Sequence, residues 1–177
     1  GKAFVAGADI KFFVRHIKNN SLDKIVAFTS YGQSVFEKID KSKKKVVAIL
    51  NGMALGGGLE LALSADVILA VPKATLAFPE TGIGIYPGLG GTQRTIPRVG
   101  KGLAKFLILT GKMLNAIDAN EIGLVDAVIS SEEMFEVLNG EKSIPESQLK
   151  ELSPKWKAYS ALYSKNNFRA IITGNYS

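Results

Sequence analysis

The chain has 177 residues, 46% of them hydrophobic, enough for one globular domain with a real core and too apolar for disorder. It contains no cysteine, which excludes disulfides, thiolate nucleophiles and cysteine-ligated metals and fits a reducing, cytoplasmic setting. Its formal charge of +6 comes with no nucleic-acid recognition motif, and its most apolar stretch, 59–71, is broken by Glu60 and Asp66 and is too short to cross a bilayer.

In chain order, Gly7, Ala8 and Asp9 read as a turn into a helix, with Asp9 as N-cap and Ile10, Phe13, Val14 and Ile17 as its apolar stripe. His16 lies on this basic helix with no Asp or Ser partner motif and reads as a surface residue. Helical spacing continues through Ile25, Phe28, Val35, Phe36 and Ile39, with a break expected at Gly32. The basic cluster Lys41, Lys43, Lys44 and Lys45 reads either as a solvated helix end or as an attractor for a phosphorylated ligand. Residues 45–50 form a buried-strand run ended by Asn51 and Gly52, and a helix is expected from Gly57 to about Asp66. Strands follow over 67–71 and 75–78, then a helix over 101–110 closed by Gly111. A short helix over 116–121 stops at Gly123, and a strand covers 125–129. Ser130 and Glu133 make a capping-box pair for a helix that Gly140 ends. Beyond Glu141 the composition turns polar, with helical pieces around Gln148 and over 155–164. The recurring order of strand and helix makes the class α/β, divided as a core over 1–140 and a helical segment over 141–177.

The chemistry concentrates between Gly56 and Arg94. Three glycines, Gly56, Gly57 and Gly58, let the backbone approach a ligand without Cβ interference. If Gly57 opens a helix, its N–H is unpaired and lies at the positive end of the helix dipole, where an oxyanion is stabilised. Glu60, three residues on, shares that helical face. The same glycines also suit a plain tight connection from strand to helix. Glu80 follows Phe78 and Pro79, and a second glycine-rich turn, 87–91, follows Glu80. That turn is no dinucleotide fingerprint, because no buried strand leads into it, and the chain has no P-loop lysine. Trp156 reads as packing.

Three segments, GKAFVAGADI (1–10), NGMALGGGLE (51–60) and FPETGIGIYPGLGGTQR (78–94), together resemble the enoyl-CoA hydratase/isomerase (crotonase) family, the match covering about 1–130 in the right order. The resemblance implies a spiral of ββα units and action on acyl-CoA thioesters, with no covalently bound cofactor and no metal. It also implies a homo-oligomer, a trimer or a pair of trimers. Carried over by motif, Ala8 and Gly57 supply oxyanion-hole N–H groups, Glu60 and Glu80 are the carboxylate pair, and Gly88 lies near the catalytic water. Lys2 and Lys11 stand beside the coenzyme A moiety. The chain starts inside the first motif, so it reads as an N-terminally truncated piece. The segments also resemble longer chains that fuse a 3-hydroxyacyl-CoA dehydrogenase to a hydratase.

Adding water across an α,β-unsaturated thioester needs an oriented water at C3 and a proton at C2, work that one ionised and one protonated glutamate can divide. Glu60 is assigned to the water and Glu80 to the proton. The expected activity is that of an enoyl-CoA hydratase in fatty-acid β-oxidation or a related pathway. Its rivals are an isomerase, which needs one carboxylate, and a catalytically silent piece that binds coenzyme A or mediates assembly.

Overall fold

A computed structural model describes residues 3–147 and 151–164. Lys2 and the helical piece expected around Gln148 lie outside them. Two sheets form the framework. In the first, β2 (Val47–Leu50), β4 (Val67–Ala70) and β7 (Ala127–Val128) run parallel in the order β2-β4-β7. In the second, β1 (Ala3–Val5), β3 (Met53–Leu55) and β5 (Thr75–Ala77) are parallel, and β6 (Leu114–Asn115) is antiparallel to β5. From β1 to β5 the chain visits the sheets alternately. Asn51 and Gly52 carry it from β2 to β3 and then into helix α3 (Gly57–Leu63), and Pro72 and Lys73 carry it from β4 to β5. After β5 come a 3₁₀ turn (Pro79–Ile83) and helix α4 (Gly91–Thr110). Two successive ββα units result, each placing one strand in each sheet. The core lies between these sheets and helices, with Leu50, Ala54, Leu59, Ile68, Leu76, Leu103, Leu114 and Leu124 almost wholly buried.

Helix α4 is two helices joined at Gly100, whose φ of 78° and ψ of 163° are not helical. The second half is the helix expected over 101–110, and Gly111 caps it at φ 62°, its N–H donating to the Leu107 carbonyl. The first half was not foreseen, because Pro97 and the glycines before it mask its period. Helix α5 (Ala116–Glu121) is followed by Gly123 at φ 80°. Helix α6 (Ser131–Leu138) carries the full capping box: Ser130 Oγ accepts from Glu133 N–H, and Glu133 accepts from Ser130 N–H. The strand expected over 125–129 shrinks to Ala127–Val128.

The last helix, α7 (Pro154–Ser164), lies against the second half of α4. Trp156 is fully buried there, beside Phe106, whose ring also stacks on Tyr159 at 4.2 Å and meets Tyr163 edge-on at 5.2 Å. Contact is so close at Gly102 that a Cβ there would lie 2.1 Å from the Ser160 carbonyl oxygen.

Helices α1 (Ile10–Lys18) and α2 (Leu22–Asp40) form a pair joined by the aromatic rings of Phe12, Phe13 and Phe28. Asp9 caps α1 as expected, its carboxylate accepting from Lys11 N–H at 2.9 Å. Two expectations change here. The stripe of α1 does not face the core, since Phe13 packs on Phe28 while Ile10, Val14 and Ile17 are exposed. And α2 runs unbroken through Gly32, which is glycine for a packing reason: a Cβ there would lie 2.7 Å from a Leu89 methyl. His16 is half-buried, its ring 4.5 Å from that of Phe12. Among the described residues, no helix is long and apolar enough to cross a membrane.

Candidate active site

Each of the three glycines ahead of Glu60 leaves room for something different. Gly56, at φ 52°, ends β3 and faces Glu80, whose Oε1 lies 2.8 Å from where a Gly56 Cβ would be. Gly57 opens α3, and its missing Cβ would lie 3.9 Å from Ala8 N, 4.0 Å from Glu60 Oε2 and 3.4 Å from a Leu89 methyl. Gly58 is pure packing, because a Cβ there would be 2.0 Å from the Val5 carbonyl oxygen. Helix α3 is thereby pressed onto β1, and the segment that follows β1, with Gly7 at φ 90°, brings Ala8 beside Gly57. One of the three glycines thus serves close packing on β1, while the other two leave backbone bare beside Glu80, Glu60 and Ala8.

Glu60 is a buried carboxyl, 2% exposed, on α3. Its Oε1 accepts two backbone hydrogen bonds, from Leu89 N–H at 2.7 Å and from Gly91 N–H at 2.8 Å. Burial raises its pKa above the ordinary carboxylate value, while the Gly91 and Leu89 N–H groups and the charge of Arg94 pull it back down. Gly91 must lack a side chain for this contact, since a Cβ would meet Glu60 Cγ at 2.9 Å.

Glu80 has the opposite surroundings. It sits on the 3₁₀ turn behind Pro79, and its Oε2 is buried with no hydrogen-bond partner. Burial pushes its pKa up to about 7, helped by the charge of Glu60 and opposed by a hydrogen bond from its own backbone. The run after it, Gly82, Ile83, Gly84, Ile85 and Tyr86, is exposed throughout.

Four of the residues singled out in the sequence therefore meet: Ala8, Gly57, Glu60 and Glu80. Gly88 stands one residue before the Leu89 N–H that holds Glu60, and its own carbonyl accepts from Gln33 Nε2 at 2.7 Å. Lys11 is exposed on α1, one helical turn from Ala8, in a shallow groove shared with Ile10, Val14, Arg15 and Lys18. Sequence reasoning did not reach the N–H groups of Leu89 and Gly91, nor the guanidinium of Arg94 that donates to the Leu89 carbonyl at 2.8 Å. The available signal was the alternation of glycine around Leu89, which bares backbone on both sides of it.

Two buried carboxyls with raised pKa values, one of them held by two N–H groups, beside a helix N-terminus form a constellation suited to moving protons at a carbonyl compound. Comparison with known proteins agrees. The family description Enoyl-CoA hydratase/isomerase matches residues 1–146. A crotonyl-CoA hydratase of Syntrophomonas wolfei is 47% identical over 134 residues, covering 76% of this chain and 50% of that protein. A short-chain-enoyl-CoA hydratase of Clostridium acetobutylicum is 43% identical, again over 76% of this chain and 50% of the relative. The chain thus spans about half the length of these curated relatives. The crystal structure of an enoyl-CoA hydratase from Thermoplasma volcanium superposes with a TM-score of 0.74 at 32% identity, covering 98% of this chain and 74% of that one. The alternating ββα units are those of the crotonase spiral that the three motifs implied, and the chain belongs to the enoyl-CoA hydratase/isomerase family.

Proposed function

We propose that the protein is an enoyl-CoA hydratase, adding water across the 2,3 double bond of an enoyl-CoA thioester in fatty-acid β-oxidation or a related acyl-CoA pathway. The observation that carries this reading is the unequal carboxyl pair: Glu60 gripped by two N–H donors, and Glu80 raised to about 7 with an unpartnered oxygen. Burial lifts both carboxyls, but at Glu60 two donated N–H bonds and the Arg94 charge oppose it, so Glu60 serves as the base that takes a proton from water as the water oxygen bonds to C3. Burial favours the neutral form, so Glu80 delivers a proton to C2. Between the two steps the thioester oxygen carries enolate charge, which the N–H groups of Ala8 and Gly57 receive. Each such donor is worth about 3 kcal/mol of barrier in comparable oxyanion sites. Gly88 lines the path of the water, and Lys2 and Lys11 attract the phosphates of coenzyme A. The reaction is redox-neutral and draws its chemistry from side chains and backbone alone.

Residues 1–140 are read as a partial catalytic core and 141–177 as a helical C-terminal segment, a division supported by the exposed run 138–143. The full protein is read as a cytoplasmic homo-oligomer. The deciding experiment measures hydration of crotonyl-CoA, by loss of the enoyl absorbance, for this chain and for the protein encoded by the complete reading frame. Hydration supports the reading. Double-bond migration in a 3-enoyl-CoA without hydration would replace it with the isomerase, and coenzyme A binding with neither activity with a silent binding module.

A further inference from the structure

Glu60 works as a base only while its carboxylate stays within reach of the Leu89 and Gly91 N–H groups. Leu89 sits in the 87–91 turn, which has little regular structure to stiffen it, and Gly91 is the first residue of α4. Three fastenings hold that turn, and all three lead to α2. Gln33 Nε2 donates to the Gly88 carbonyl at 2.7 Å. Gly32 leaves the hollow that a Leu89 methyl fills. The third passes through Arg94, whose Nη1 donates to the Leu89 carbonyl at 2.8 Å while Nε donates to Asp40 Oδ2 at 2.9 Å and Nη2 to the same oxygen at 2.5 Å.

Asp40 is the last residue of α2, so the guanidinium ties the end of a 19-residue helix to the peptide that clasps Glu60. Space is reserved for it. Gly90, at φ 105°, lacks the Cβ that would otherwise sit 2.0 Å from Arg94 Nη1. The Arg94 side chain is only 17% exposed, so water competes little for its donors. Planar, multiply bonded guanidinium contacts fix direction in a way an ammonium does not. The charged groups around this point are Asp40 and Glu37 on α2, Lys41 just after it, paired with Glu37, and Glu60 on α3, with Glu80 on the 3₁₀ turn facing Glu60.

We propose, on the hydratase reading, that Arg94 anchored by Asp40 is a positioning residue: it grips the Leu89 carbonyl and so aims the Leu89 and Gly91 N–H groups at Glu60, without touching substrate itself. The glycine at position 90 belongs to the same device.

The test compares the unaltered full chain with Arg94→Gln, Arg94→Lys and Asp40→Asn. Crotonyl-CoA hydration is measured across pH, and the ionisation of Glu60 is titrated by carboxyl NMR with isotope-labelled glutamate, its resonance assigned through Glu60→Gln. Expected for Arg94→Gln is a fall in kcat of up to about 10²-fold at nearly constant KM, the scale of a misplaced catalytic group. The acid limb of the pH profile and the NMR midpoint of Glu60 both move upward. Asp40→Asn moves both in the same direction by less, and Arg94→Lys restores the midpoint more fully than it restores kcat. An unchanged kcat and an unchanged Glu60 midpoint in both Arg94→Gln and Asp40→Asn overturn the proposal, as does a rise in KM alone. If Arg94→Gln does not fold, Asp40→Asn decides. If the unaltered chain hydrates nothing, the hydratase reading fails separately, and the NMR midpoint alone judges Arg94: raised supports its role in holding Glu60, unmoved removes it.

Discussion

Glu60 and Glu80 are tested by the same change, glutamate to glutamine. Either substitution keeps shape and loses proton transfer, so each lowers crotonyl-CoA turnover by about 10²–10⁴-fold, with little change in acyl-CoA affinity. Steady-state hydration and calorimetric binding check this, and a near-normal rate in either variant removes that residue from the chemistry. Stability gives Glu80 a second readout. Glu80 keeps its proton in the folded chain up to about 7, whereas the unfolded chain releases it near 4.5. Over that window the folded state holds more protons, so Glu80 makes the native state progressively less stable as pH rises from 4.5 to about 7, with the full penalty above. Glu80→Gln has no such titration. The stability of the variant relative to the parent therefore grows between about pH 5 and about pH 8, as urea unfolding at the two values will read. A gap that stays constant means that Glu80 is not a buried acid.

At the scale of elements, close approach of backbones decides more than helix propensity does. A methyl on Gly58 would run into the Val5 carbonyl and one on Gly102 into the Ser160 carbonyl, and neither backbone oxygen can swing aside. Gly58→Ala is expected to cost about 1–3 kcal/mol and to lower hydration, because it pushes β1 and the Ala8 segment off α3. Gly102→Ala lifts α7 and wets Trp156, the only tryptophan of the chain, so its fluorescence shifts to the red before global unfolding. An unshifted emission would mean that α7 does not depend on that approach. These contacts also mark the limit of what was legible in the sequence. Helices with a clear stop were readable, because Gly111, Gly123 and Gly140 announce their ends by composition, and Ser130 and Glu133 announce a start. Strands β1 and β3 are not legible, since each is a three-residue piece running straight into a glycine turn, whereas β5, equally short, is set off by the Pro72–Lys73 turn. Gly32 reads as a breaker because its partner, Leu89, is remote in sequence and no local pattern records it. For the same reason the carboxylates of the site were visible as residues, but the N–H groups holding Glu60 were not, since backbone donors leave no letter of their own.

For the whole molecule, the distribution of apolar surface predicts association. Ile10, Val14, Ile17, Leu22, Val26 and Tyr31 are exposed along α1 and α2, and β1 and β2 are edge strands among the described residues. Open edges pair with other chains, and contiguous apolar surface is seldom left bare. The runs 45–50 and 67–71, read as buried strands, need neighbours on both sides. The second has β2 and β7 on its two sides, while the first has β4 alone. Light scattering of this chain is expected to show mass rising with concentration. A concentration-independent monomer with full hydration activity would mean that these faces need no cover.

The siting of Glu80 has a consequence in time. Glu60 rises from the most buried helix, but Glu80 rides on a single 3₁₀ turn that leads into the bare run 82–86, where the space beside Gly82 and Gly84 is empty. On the proposed roles, base and acid are expected to keep different clocks, the one tied to the slow opening of the core and the other to the far faster scale of a surface turn. Amide hydrogen exchange will separate them, with slow exchange at Leu89 and Gly91 and rapid exchange over 82–86. Saturation with an acyl-CoA should slow only the second set, so that arrival of substrate, rather than folding, brings the acid into step with the base.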